Sequence, residues 1–189
     1  MRALLFAGGR SKRMGRDKAL LEVEGIPCIA RVTSALVEAG CEPIRIAVAL
    51  PEDVERYGAV LPAGADVEWV LDSVPHAGPI EAMVEALSDP LVDEVESVQL
   101  CPVDVPWITA ELFLELEKTL GSDDLLAIPA DPRRTHPLLA RVRPTLASAI
   151  GEDRRPLHVQ FAELEHSTLL ADPLILRNVN TPADLSDSD

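Results

Sequence analysis

Apolar positions along this 189-residue chain fall into short blocks that alternate between two spacings. "ALLFA" (Ala3–Ala7), "IRIAVAL" (Ile44–Leu50), "VEWVL" (Val67–Leu71) and "SVQL" (Ser97–Leu100) are compact apolar runs. Runs of that length predict strands buried in a parallel sheet. Between them the spacing widens to that of helices. Pro27–Ala39 places Ile29, Val32, Ala35, Leu36 and Ala39 on one face and stops at Gly40. Ile80–Leu87 follows "GP", and Ala110–Leu120 aligns Leu112, Leu116 and Leu120. Further on, Leu125–Pro129 and Leu138–Val142 predict two more strands, and Leu146–Ile150 with Leu157–Leu164 one or two short helices. Pro182 predicts a helix beginning at Thr181. Strand–helix alternation with short connections implies an α/β fold with a mostly parallel sheet, whose ligands bind beyond the carboxyl ends of the strands.

Composition narrows this picture. No repeat or composition break divides the chain, so one domain over residues 1–185 with an acidic tail at 186–189 is expected. The net charge of −15, from 32 acidic and 17 basic residues, argues against nucleic acid or an anionic membrane as partner. Cys28, Cys41 and Cys101 are odd in number and lack C-x-x-C spacing, which fits a reduced cytoplasmic protein better than a disulfide scaffold. No apolar stretch has membrane-spanning length.

The charge is unevenly spread. Arg10, Lys12, Arg13, Arg16 and Lys18 place five of the 17 cations in "RSKRMGRDK", directly after the first strand and Gly8–Gly9. The stretch is neither G-x-G-x-x-G nor a Walker A loop, since Arg10 and Arg13 replace glycines and Lys18 is followed by Ala19. The physics of those motifs nevertheless applies. Paired glycines are expected to allow positive φ and close backbone approach, so that N–H groups face a phosphate, and Arg13 and Lys18 add charge. A solvated charge cluster is the plain alternative. Crowded like charges at a strand end argue against it, because a polyanion relieves their repulsion.

"FAGGRSKRMGRDKALLEVEGIPCIARV" resembles the opening of the molybdenum cofactor guanylyltransferase family, whose loop is A-G-G-x-S-x-R-M-G-x-D-K. "LDSVPHAGPIEAM", "LCPVDVPWI", "RTHPLLARV" and "RNVNTPADL" resemble four later segments of that family, in the same order. The resemblance implies a Rossmann-like three-layer fold of the nucleotide-diphospho-sugar transferase type, and a Mg²⁺-dependent transfer of GMP from GTP to the phosphate of molybdopterin. Molybdoenzymes or other cofactor-biosynthesis proteins are candidate protein partners. By the same resemblance, Arg13, Lys18 and Asp104 are the catalytic candidates, with Asp104 holding Mg²⁺. Phe6, Ala7, Gly8, Gly9, Lys18, Asp72 and Gly78 are the nucleotide-side candidates, and Asn178 and Asn180 lie toward the pterin. Asn178 and Asn180 also suit a helix cap.

Two positions depart from the family pattern. Leu50 replaces a frequent Asn and Ala82 a frequent Gly, and both are expected to bear on the nucleotide wall. His136 fits a strand entry as well as a site residue, and Cys101, with no nearby His, a small core residue. The pairs Arg133–Arg134 and Arg154–Arg155 are open to three readings: acceptor phosphate, protein partner or solvent. No Ser–His–Asp or Cys–His set is present, in keeping with an acceptor phosphate that is already anionic. Cytidylyl transfer, another phosphorylated acceptor such as a cobamide precursor, and a non-catalytic cofactor-delivery subunit are the alternatives.

Overall fold

The computed structural model describes residues 2–8, 17–72, 78–92, 95–151, 153, 155–180 and 184. The chain runs β1 (Ala3–Phe6), a hairpin of β2 (Glu22–Val23) and β3 (Ile26–Pro27), α1 (Cys28–Glu38), β4 (Ile44–Val48) and α2 (Pro51–Gly58). Next come β5 (Val67–Leu71), α3 (Pro79–Leu87), β6 (Val98–Pro102) and α4 (Ala110–Thr119). It continues with β7 (Leu126–Ala130), β8 (Arg141–Val142), α5 (Leu146–Ile150), α6 (Leu157–Ala162) and β9 (His166–Leu170). Seven strands form one sheet in the order β5-β4-β1-β6-β8-β7-β9, and only β8 runs antiparallel to its neighbours.

Side chains alternate across β1 and so divide the core. Leu5 lies with Ile46, Cys101, Ile29 and Leu112 under α1 and α4. Leu4 lies with Leu100, Met83, Ile128 and Phe161 under α3, α5 and α6. Both leucines are fully buried, giving a helix–sheet–helix sandwich. β4 flanks β1 on one side, and after β5 the chain returns to place β6 on the other. The strand order thus reverses at β1, and the crevice of a doubly wound sheet opens at such a reversal.

One predicted element changes and others are added. Leu138–Val142 is not a continuous strand: Pro137–Leu139 is a 3-10 turn, and pairing begins only at Arg141. Proline at 137 fixes φ and supplies no ladder N–H, so the strand starts beyond it. α2 and β9 are additional to the predicted set, as is the hairpin turn in which Glu24 (φ 54°) and Gly25 (φ 77°) both take left-handed conformations. The helix expected from Thr181 and the acidic tail lie outside the described residues.

Candidate functional site

Loops after β1, β5, β6 and β7, with the segment after β9, enclose a cavity of about 770 Å³ at the carboxyl rim of the sheet. Phe6, Ala7, Gly8 and Lys18 reach it from the first loop, and Asp72 and Gly78 from the third strand–helix connection. Asp104 reaches it from the loop after β6, and Asn178 from the chain beyond β9. Gly9 and Arg13, with the rest of the basic cluster up to Arg16, lie outside the described residues.

Gly8 is favoured by space rather than by φ, contrary to the expectation of a left-handed glycine: a Cβ there would lie 2.7 Å from Asp72 Oδ2, which would have to turn aside, and 3.2 Å from Ala49 N. Gly78 does need its glycine, since φ is 113° where it caps α3 ahead of Pro79. Ala82, on the next turn, borders the cavity. Leu50 does not. It occupies the N-cap of α2, 39% exposed and without a capping side chain.

Lys18, Asp104 and the two asparagines form one hydrogen-bonded unit. Lys18 Nζ donates to Asp104 Oδ2 at 3.0 Å and to Asn180 Oδ1 at 2.9 Å. Asn178 Nδ2 donates to Asp104 Oδ1 at 2.9 Å, and the Val179 N–H to the Asp104 carbonyl at 2.8 Å. Residues 86 and 162 positions apart in sequence therefore converge on one ammonium. The neighbouring Arg177 guanidinium lies 3.6 Å from the Trp107 ring centre, which ties the last segment to the loop bearing Asp104.

Two supports were not foreseen. Asp17 accepts from Tyr57 Oη at 2.9 Å and from an Arg56 guanidinium nitrogen at 3.0 Å, both on α2, and caps its own loop through Ala19 N at 3.0 Å. Burial, then the bond to Asp17, raises the Tyr57 phenol well above its usual range. His136, open in the sequence between a strand entry and a site residue, is 8% exposed, borders the cavity and lies 2.8 Å through Nε2 from Asp131 Oδ2. That bond and the N–H groups of Arg133 and Arg134 hold the Asp131 carboxyl down to about 2. Arg134 lines the cavity, whereas Arg155 is taken up by Asp153 and Glu163 on the surface. Cys101 is fully buried, as the sequence suggested.

Such an arrangement offers a lysine and an arginine beside one carboxylate in a walled crevice, with amides that donate or accept. It suits the positioning of phosphates rather than nucleophilic attack by a protein side chain. Among the described residues, no group of three or more His, Cys, Asp or Glu is arranged to hold a metal by itself, and no helix is long and apolar enough to cross a membrane.

Comparison with known proteins agrees with this chemistry. The sequence matches the MobA-like NTP transferase domain over residues 3–163. A Synechococcus elongatus protein named "Probable molybdenum cofactor guanylyltransferase" is 32% identical over 192 residues, covering 96% of this chain and 94% of its own length. A Rhodopirellula baltica protein of the same name is 30% identical over 189 residues, covering 96% and 88%. The solved structure of molybdopterin-guanine dinucleotide biosynthesis protein A from Archaeoglobus fulgidus has a TM-score of 0.71 at 21% identity, covering 98% of this chain and 95% of that one. A nucleotidyl transferase from Methanothermobacter has a TM-score of 0.77 at 17% identity, covering 96% and 92%. The mostly parallel α/β sheet is the fold that these two solved structures share with this chain.

Proposed function

Because this chain belongs to the MobA-like NTP transferase family, we propose that the nucleotidyl group it transfers is GMP, taken from GTP and passed to the phosphate of molybdopterin. The carrying observation is the Lys18–Asp104–Asn178–Asn180 unit at the rim of the cavity. Names of relatives at about 30% identity supply the substrate pair.

In this reaction an oxygen of the acceptor phosphate attacks the α-phosphorus of GTP. The bond from that phosphorus to the β-phosphate oxygen breaks, and pyrophosphate leaves with its electron pair. The acceptor oxygen carries no proton to remove, so no general base is required. Gly8 lets the nucleotide approach the backbone, and Lys18 exchanges its contact with Asp104 for the triphosphate and the leaving pyrophosphate. Gly9 and Arg13 belong to the same cradle by resemblance of the loop.

Asp104 and Asn180 fit a hard divalent cation. Their oxygens converge on a point that the Lys18 ammonium fills, and Mg²⁺ takes one or two carboxylates together with phosphates and water. When bound there, Mg²⁺ supplies neutralising charge to the phosphates. Asp104→Asn should abolish turnover while leaving the melting temperature within a few degrees.

Pyrophosphate release is measured with GTP, CTP and ATP, each with Mg²⁺ and with or without molybdopterin. Release with GTP and molybdopterin alone supports the reading. Release with CTP assigns cytidylyl transfer instead, and tight GTP binding without release in any mixture assigns a delivery role.

A further inference from the structure

We propose that Arg134 is the docking cation for the acceptor's phosphate, a site distinct from the nucleotide cradle. The inference rests on the guanylyl-transfer reading above. Joining two phosphorylated molecules requires two anion sites that meet at one phosphorus.

One of those sites is the Lys18 side. Lys18 takes the Oδ2 edge of Asp104, and Asn178 takes the Oδ1 edge. Beyond Asn178 stands Arg134, whose guanidinium donates to Asn178 Oδ1 at 3.2 Å. The order Lys18–Asp104–Asn178–Arg134 therefore sets two cations on opposite sides of a single carboxylate.

They differ in one respect. Lys18 is paired with Asp104, whereas no carboxylate among the described residues lies within ion-pair distance of Arg134. Arg31, Arg45, Arg56, Arg141, Arg143 and Arg155 all have one. In a chain with 32 acidic residues, a cavity-lining guanidinium held only by a neutral amide keeps its charge for an incoming anion. A planar fork of donors suits a phosphate, which it meets bidentately.

The backbone beneath it is built, not loose. Asp131 Oδ1 accepts the N–H groups of Arg133 at 2.7 Å and Arg134 at 3.1 Å, and Asp131 N donates to the Arg134 carbonyl at 3.0 Å. Asp131 Oδ2 meets His136 Nε2, and Ala130 bridges Thr135. Asp131 and His136 are thus positioning residues for Arg134. Of the two arginine pairs that the sequence leaves open, the second is engaged at Arg155 by surface ion pairs, and Arg154 lies outside the described residues.

Two measurements test the proposal on the full chain. In steady-state transfer, Arg134→Ala should raise the acceptor KM by about 10- to 100-fold, the range for losing hydrogen bonds to a charged group. Calorimetric Kd for GTP with Mg²⁺ should stay within about twofold, and Arg134→Lys should fall between wild type and alanine. A weakened GTP Kd, or a lower kcat with the acceptor KM intact, would overturn the proposal, because Arg134 would then serve only to hold Asn178. The second measurement needs no turnover: inorganic phosphate is titrated into the GTP-loaded chain while the Arg134 Nε–H signal is followed by NMR. A saturable shift, absent from the Arg134→Ala spectrum, supports the anion site even if no dinucleotide forms and guanylyl transfer fails. No shift up to high phosphate concentration overturns it.

Discussion

A single methyl group at position 8 would press on an acidic residue of the cavity wall. Gly8→Ala brings Cβ to 2.7 Å from Asp72 Oδ2. Overpacking of this kind costs about 1–3 kcal/mol. Denaturant unfolding should show that loss, and GTP affinity should fall with it. Asp131 gives a prediction in pH. Its carboxyl titrates lower in the folded chain, near 2, than in the unfolded one, so the native state is favoured above the ordinary carboxylate range. That contribution disappears as pH falls from about 4 toward 2, and Asp131→Asn should flatten this part of the acid-unfolding curve. Lys18, Asp104, Asn178 and Asn180 were legible in the sequence because each sits in a short segment with its own pattern. The sequence leaves Arg134 among three readings. Its partner Asn178 is 44 positions away, and only folding shows that the guanidinium lines the cavity while Arg155 is occupied.

α2 shows why an element escaped. "PEDVERYG" has only Val54 and Tyr57 to bury, too few for an apolar stripe. Its signals were in the ends: Pro51 in the first turn, Glu52 and Asp53 beside it, and Arg56 in the last turn. β9 was hidden for the opposite reason. "HSTLL" is an edge strand of half-exposed positions, with neither an apolar run nor clean alternation. The strands of the sheet centre were legible to within two residues, since burial on both faces writes them as continuous apolar blocks. The missed helix matters to the site, because its Tyr57 and Arg56 hold Asp17 one residue before Lys18. Tyr57→Phe removes a partly buried hydrogen bond to a carboxylate, an interaction of up to about 1.5–3 kcal/mol. Thermal unfolding should register that loss, and the nucleotide KM should rise with it.

Over the whole molecule, acidity and anion binding are reconciled by placement. The strand order reverses at β1, so the loop after it faces Asp104 across the crevice, and both cations of the described cavity wall stand there. Elsewhere the interior is inert. Burial raises all three thiols, Cys28 to about 11, so Ellman's reagent should find no reactive cysteine until the chain unfolds. The central claim is that the polar unit at the rim serves phosphates and not the stability of the fold. It is tested most directly by measuring melting temperature and turnover on one preparation of Lys18→Ala. The partly exposed pair with Asp104 contributes about 0–1 kcal/mol, so melting should move by no more than about 4 °C. Turnover should fall by about 10²–10³-fold, as when a preorganised transition-state donor is lost. A large drop in melting temperature with turnover preserved would contradict the account.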